Sequence, residues 1–265
     1  AAYTAIDDPE AYFQAQLYTG NGSTQSITLD GETDMQPDFV WLKARSAADA
    51  PHVFDSVRGV EKRLLPDGTN AEATMTGGLS AFNSDGFSLG SNTAINDNTT
   101  TFVGWNWKAN GSGSANTVGS IASTVSVNTT SGFSIVTWTS TGSTGTVGHG
   151  LGVVPKFIVV KRRVDSGYDW VVYHVDDTAG LYLNEQGVNN DSSAANIFGR
   201  NPTTTVFDIT ADGRIGGNTT GDTYVAYCFA DVAGYSKFGS YIGNSSADGP
   251  FIYTGFRPAY VMVKR

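Results

Sequence analysis

The sequence is short of charge, cysteine, histidine and long apolar runs, and each shortage narrows what the chain can be. A single cysteine, Cys228, among 265 residues excludes an internal disulfide and a cysteine-based zinc site. It lies in Tyr224-Val-Ala-Tyr-Cys-Phe229 and reads as a small buried hydrophobe. So low a count fits folding in a reducing cytoplasm. No apolar run approaches the roughly 20 residues of a membrane-crossing helix, and membrane insertion is not expected. No signal peptide is read at Ala1, and without an initiator Met the chain is expected to be processed or incomplete. Charged residues make up 15% of the chain, against about 25% in ordinary globular proteins. The balance is acidic, with 25 Asp and Glu against 16 Lys and Arg and a net charge of −9. An acidic surface repels nucleic acid phosphates and anionic membranes, so neither is an expected partner. The three histidines, His52, His149 and His174, form no metal-spaced pair. They read as structural, and no metal or cofactor is expected.

What the chain does have is apolar and turn-forming. Hydrophobic residues reach 40%, aromatics 12%, and there are 32 glycines. Thr, Val, Tyr and Phe suit pleated surfaces, while Gly, Asn and Asp supply turns, so the fold class is all-β with little helix. One short helix is expected where Asp8 caps Pro9-Glu10 and Ala11-Tyr-Phe-Gln-Ala-Gln16 follows. Another turn or two is expected over Asp191–Asn196.

The strongest internal signal is repetition. Pro37-Asp-Phe-Val-Trp-Leu-Lys43, Pro155-Lys-Phe-Ile-Val-Val-Lys161 and Pro258-Ala-Tyr-Val-Met-Val-Lys264 all read proline, any residue, an aromatic, three apolar residues, lysine. Tyr18-Thr-Gly-Asn-Gly-Ser23, Trp138-Thr-Ser-Thr-Gly-Ser143 and Tyr241-Ile-Gly-Asn-Ser-Ser246 precede them. Asp85-Gly86 answers Asp212-Gly213, and Phe102-Val-Gly-Trp-Asn-Trp107 answers Tyr224–Phe229 at an offset of 122, an offset that His52 and His174 share. The expected organisation is an N-terminal arm over 1–10 and a first β-sandwich repeat over 11–108. A Gly/Ser-rich linker with the first strand of the next unit spans 109–131. A second repeat covers 132–235, and an incomplete third, 236–265, either continues beyond Arg265 or completes the sheet of the second. The signature strand is apolar on both faces, as in a sandwich interior of jelly-roll type, with its lysine marking the exit to solvent.

No motif assigns catalysis. Gly86-Phe-Ser-Leu-Gly90 matches a nucleophile elbow, but no helical period follows Ser88 and the second copy has no serine there. Asp7-Asp8 and Asp176-Asp177 are adjacent pairs whose side chains point apart on a strand. Lys161-Arg-Arg163 reads as a solvated strand end rather than an anion site. No phosphate-binding loop occurs. The chain is therefore read as non-enzymatic, with no catalytic, metal or cofactor residue.

Ala11-Tyr-Phe-Gln, Tyr18–Ser23, Phe54-Asp-Ser-Val-Arg-Gly59, Ser84-Asp-Gly-Phe87, Gly148-His-Gly-Leu-Gly152 and Gly234-Tyr-Ser-Lys-Phe-Gly-Ser-Tyr241 together resemble a tandem-repeat domain of marine bacteriophage structural proteins, often labelled tail-fibre-like. The resemblance spans nearly the whole chain. It implies a virion component, a fibre, spike or capsid-surface (decoration) protein, assembled in the host cytoplasm. Its partners would be other capsid or tail proteins and itself as a homo-oligomer. It carries over no catalytic residue. The segment from Tyr3 to Phe13, with Tyr3, Ile6, Tyr12 and Phe13 as its apolar side chains, is either a virion-attachment arm or packing for the first copy. The other readings are a glycan-binding adhesin for host attachment, which exposed aromatics would favour, and a polysaccharide-degrading tailspike, which converging carboxylates would favour.

Overall fold

The computed structural model describes residues 4–176, 181–185 and 197–264; Asp191–Asn196 and Tyr3 fall outside them. Asp8 caps a short 3₁₀ turn, Pro9–Ala11, its carboxylate accepting the Glu10 amide. The turn does not extend into the helix expected through Gln16. Phe13–Thr19 is a strand instead, because Phe13, Ala15 and Leu17 point one way and Gln14, Gln16 and Tyr18 the other, and both sets find partners in a sheet. Tertiary pairing overrides a weak local preference here.

The first copy contributes β1 (Phe13–Thr19), β2 (Gln25–Ile27), β3 (Phe39–Ala44), β4 (His52–Asp55), β5 (Lys62–Arg63), β6 (Ala73–Thr74), β7 (Leu79–Asn83), β8 (Gly86–Leu89) and β9 (Thr101–Trp107), with a four-residue helix, α1 (Thr93–Asn96), before β9. The rest contributes β10 (Ser114–Asn116), β11 (Ser123–Asn128), β12 (Phe133–Thr141), β13 (Gly145–Gly148), β14 (Phe157–Arg162), β15 (Val171–His174), β16 (Leu181–Tyr182), β17 (Val206–Ile209) and β18 (Thr220–Phe229). The fold is all-β and antiparallel. One sheet runs β1-β9-β3-β4; a second, seven-stranded, runs β10-β11-β12-β18-β14-β15-β16. The order β12-β18-β14-β15 inside the second matches that of the first. The registers match as well: Phe39 lies opposite Trp107, and Phe157 opposite Phe229. By the same register His174, opposite Phe157, occupies the place of Asp55, opposite Phe39, while His52 faces Leu42. The two histidines are therefore not counterparts, because the equivalence follows strand pairing and not a constant offset.

The sheets stack. One face of the β1-β9-β3-β4 sheet packs Val40, Leu42 and Phe54 against Leu79, Phe87 and Leu89 of the small β2-β8-β7 sheet. Its other face, with Phe39 and Val53, packs on Phe133, Ile135, Val159, Val225 and Tyr227 of the seven-stranded sheet. That sheet's far face, with Val136, Trp138, Ile158, Val160 and Tyr224, is covered by Phe207 and Ile209 of the β13-β17 pair. Each central strand is thus buried on both sides, which is why β3 and β14 are apolar at consecutive positions. The repeats do not form separate sandwiches joined in tandem. Each lends one face of its main sheet to a common interior layer, where each fully buried Val, Leu or Phe contributes about 1.5–3 kcal/mol.

Polar contacts tie the two sheets across that layer. Asp55, wholly buried, accepts the Tyr227 hydroxyl (2.6 Å), the Arg58 amide (2.8 Å) and the Arg58 guanidinium. Arg58 also reaches Glu72 at 3.1 Å, and Arg163 of the second copy grips the same Glu72 through two bonds of 2.8 and 2.9 Å. Burial works against the Arg58 charge, but Asp55, Tyr227 and Glu72 outweigh it and raise its pKa. Burial would raise the Glu72 carboxyl; Arg163 and Arg58 together hold it below its ordinary value. Trp170, buried in the layer, donates its indole N–H to Leu65 O at 2.8 Å.

Two expectations fail here for one physical reason, that backbone polar groups in a buried layer must be satisfied. The stretch beginning Ala109-Asn-Gly is not a free linker. The Ala109 and Gly111 amides bond the Asp38 carboxylate at 2.8 and 3.1 Å, and the Asn110 amide bonds Ser126 Oγ at 2.8 Å. Nor does the signature lysine mark an exit to solvent. Lys161 is 0% exposed and donates to Tyr168 O, as Lys43 donates to Asp49 O, so each lysine folds over its own β3-β4 or β14-β15 hairpin. Arg162 is buried too, paired with Asp222 at 2.8 Å and stacked 3.9 Å from the Tyr168 ring centroid.

In the loop after β1, Asn96 is the organiser. Its buried carboxamide donates to Ser23 O (2.6 Å) and Gly90 O (2.7 Å) and accepts from the Asn21 amide (3.0 Å) and Gln25 Nε2 (2.6 Å). Gly20 sits so close beneath α1 that a Cβ there would lie 2.1 Å from Asp97 O, which accounts for the Tyr18-Thr-Gly motif.

Candidate functional site

A groove of about 1580 Å³ is lined by residues of both main sheets and of the C-terminal segment. Phe13, Trp41 and Trp107 line it from the first copy, and Phe157, Trp170 and Leu181 from the second. These positions follow from strand periodicity, since Phe13, Trp107 and Phe39 lie in register across β1, β9 and β3 and put their rings on one face. Glu10, Asp30, His174, Asp176, Lys237 and Arg257 supply polar groups at its margin.

The C-terminal segment lies across this groove. Phe238 stacks on Phe157 with centroids 5.7 Å apart and planes 8° from parallel. Tyr260 packs against Phe13, Trp105 and Trp107 at 6.1, 5.7 and 5.3 Å, and burial pushes its hydroxyl up to about 12. Lys237 donates to Tyr253 O at 2.8 Å, and Lys264 donates to Glu185 O. No residue from 236 to 264 belongs to a strand; only Ser236 makes an isolated bridge, to Val232. The segment therefore neither starts a third sheet nor completes the second copy's, although Pro258–Lys264 carries the strand signature. Its outward side chains are large and apolar: Ile242 is 91% exposed, Phe251 89%, Tyr253 71% and Val261 69%.

The N-terminal segment is docked, not free. Ala5 donates its amide to Ala233 O at 2.8 Å, Ile6 is buried, and the Tyr12 ring meets Tyr235 edge-on at 6.3 Å. Phe13 lies in β1 against Trp107. Ile6, Tyr12 and Phe13 thus pack within the molecule, and Tyr3 lies outside the described residues.

The histidines separate by environment. His52 is buried with Nδ1 unpartnered, and burial first, then Arg63 and Lys43, lowers its pKa to about 4. His149 accepts the Leu151 amide at Nδ1 (3.2 Å) and bonds Thr203 O through Nε2 (3.1 Å). Accepting at Nδ1 while donating from Nε2 selects the neutral Nε2–H tautomer, and burial lowers the ring's pKa against the opposing pull of the Thr203 bond. His174 stands at the groove with Nδ1 accepting the Asp176 amide at 3.2 Å. Among the described residues no three His, Cys, Asp or Glu side chains gather as a metal site. Ser88 lies within β8, bonded to Asn83 and Ser26 at 3.0 and 3.1 Å, without the strand-to-helix turn of an elbow. Asp8 of the first acidic pair serves as a cap; Asp177 of the second lies outside the described residues. The Cys228 thiol is buried in the seven-stranded sheet and pushed up to about 12. Sequence reasoning missed the Asp55-Arg58-Glu72-Arg163 cluster, for which Asp-Ser-Val-Arg58, with acid and base three apart, was the one available signal.

A hydrophobic ring-lined groove with a polar margin can hold a strand, an apolar side chain or the flat face of a sugar. A family model described as a domain of unknown function (DUF7483) matches residues 8–265. No curated protein and no solved structure matches the chain.

Proposed function

The chain belongs to the DUF7483 family, whose description names no activity, and we propose that it is a non-enzymatic structural component of a bacteriophage particle, a fibre, spike or capsid-surface protein. It works by holding a stiff stack of β-sheets and by associating with other virion proteins and with copies of itself. One observation carries this reading. The C-terminal segment holds Ile242, Phe251, Tyr253, Val261 and Val263 in water, whereas monomeric proteins rarely leave such extended apolar surface uncovered. The pinned, layered interior supports it, since a projecting structural element needs stiffness between its repeats. The phage assignment itself rests on the sequence resemblance. Cryo-electron microscopy of purified particles tests it: density for this stack ordered about a symmetry axis of capsid or tail is expected. Particles that lack the chain by peptide mass spectrometry overturn it.

The ring-lined groove favours a second reading, a glycan-binding adhesin. A glycan array with the full chain and with Tyr241→Ala, at the groove's rim, separates the two. Saturable binding lost in the variant supports the adhesin; no binding to any glycan removes it.

A further inference from the structure

The β13-β17 ribbon is fastened to the molecule by few bonds. Its two strands pair with each other, and among the described residues neither joins the seven-stranded sheet that the ribbon covers. Val147, Phe207 and Ile209 point inward, and the Phe207 ring meets Trp138 edge-on at 5.6 Å. Beside β13 the Ile121 amide bonds Thr146 O at 3.0 Å. At the other end the contacts converge on His149, which is wholly buried. Its amide donates to Thr205 O (3.1 Å), its Nδ1 accepts the Leu151 amide (3.2 Å) and its Nε2 donates to Thr203 O (3.1 Å). Thr203 is itself tied to the start of β17: the Val206 amide donates to its Oγ1 at 3.1 Å, and its own amide donates to Val206 O at 2.9 Å. One ring thus fastens the turn after β13 to the turn before β17, and Leu151, the residue it holds, belongs to the far core.

We propose that the β13-β17 ribbon is an acid-released lid over the far core of the second copy, with His149 as its latch. The geometry works only for the neutral ring. A second ring proton would sit on Nδ1, facing the Leu151 N–H, and would place a charge in a fully buried site. No charged neighbour offsets it. Val118 backs Gly148, and Val125 and Val127 back Gly150, on one side of the turn; Thr203 and Thr205 form the other. The ionic groups of the covering elements, Arg200 and Asp208, pair with each other at 2.8 Å, and Asp208 alternates with the inward Phe207 and so points outward. Once the ribbon lifts, the ring is solvated and takes up its proton near the ordinary 6.5. Each pH unit below that value therefore favours the lifted state by up to about tenfold, until the folded ring is itself protonated. The clamp between the copies stays shut over this interval: burial would raise the Glu72 carboxyl, but Arg163 and Arg58 hold it below its ordinary value. The lid is a property of the fold and stands apart from the particle assignment, which concerns where the protein resides.

Native-state hydrogen exchange on the full chain, read by nuclear magnetic resonance, tests the lid, with each rate divided by the intrinsic rate at its pH. His52 also disfavours acid, so the His52→Gln chain serves as the reference. As pH falls from about 7.5 to about 5.5, protection of the His149, Leu151 and Thr203 amides is expected to drop by up to about tenfold per unit below 6.5, while amides of β9 and β18 keep theirs. Unchanged protection at the ribbon, or an equal drop in β18, overturns the proposal. His149→Gln keeps a donor and an acceptor but takes up no proton in this range, and it is expected to remove the pH dependence; a drop that survives the substitution overturns the latch. If that variant does not fold, the ring nitrogen shifts of the His52→Gln chain decide. The Nε2–H tautomer at neutral pH, with proton uptake well below 6.5, supports the latch. The Nδ1–H tautomer, or a ring that titrates at its ordinary value while the ribbon amides stay protected, overturns it.

Discussion

If the two copies share one interior layer, damage on one side of it must be felt on the other, and Asp55 is the place to inflict it. Asp55→Asn keeps the shape of the side chain and removes the charge that Arg58 Nε and the Tyr227 hydroxyl both address. Arg58 is buried, and its remaining anionic partner, Glu72, is already gripped by Arg163. Breaking a buried pair by removing one partner costs about 3–5 kcal/mol, because the surviving charge keeps its desolvation penalty. Tyr227→Phe removes only a hydrogen bond to a charged group, about 1.5–3 kcal/mol. Against a total stability of about 5–15 kcal/mol these are large fractions. Urea unfolding should be followed by two probes, far-ultraviolet circular dichroism and the fluorescence of Trp138, which stacks on Tyr224 at 5.3 Å in the far core of the second copy. Asp55→Asn is expected to lower both midpoints together, and the double variant with Tyr227→Phe to lose less than the sum of the singles. A variant whose Trp138 transition stays at the wild-type midpoint while the other signal falls refutes the shared layer. A loss below about 1 kcal/mol refutes the charge argument drawn from the buried pair.

Three further outcomes follow from the same chemistry. The His52 ring ionises at about 4 in the folded chain and at 6.5 as an ordinary group. The unfolded chain therefore takes up the proton first as pH falls, and stability drops between pH 6.5 and 4 by up to about 1.4 kcal/mol per unit; His52→Gln flattens that loss in a urea series across the window. Lys161, lowered from 10.5 to about 8 by burial against the opposing pull of Asp169, binds fewer protons folded than unfolded in that interval. Stability therefore rises from pH 8 to 9.5, and Lys161→Met is expected to abolish the rise. Asn96→Ala leaves the carbonyls of Ser23 and Gly90 without a buried donor and is expected to cost about 3 kcal/mol, read as a lowered midpoint in thermal unfolding.

How much of this was legible in the sequence divides by range. The signature strands declared themselves, because Val40-Trp41-Leu42 and Ile158-Val159-Val160 are apolar at consecutive positions and only a strand covered on both faces requires that. The turn at Asp8-Pro9 was legible for a local reason, a cap and a proline in their preferred places. Everything that depended on what lies across a layer was not. Nothing near Lys161 in sequence says that its ammonium will turn back onto Tyr168 O instead of reaching water. The Gly/Ser composition after Ala109 suggests slack, but two carboxylate oxygens of Asp38, some seventy residues earlier, hold those amides.

The third signature shows the limit of pattern most sharply. Its composition is that of a strand, yet a strand is defined by the groups that answer its amides, and among the described residues none do. In the first two copies the answer is a strand that carries aromatics three and two residues apart, in a fixed register, with the signature aromatic facing its last ring. An apolar segment with a defined complement differs physically from one that is merely uncovered. The first binds one pattern and rejects its scramble, while the second gathers any greasy surface.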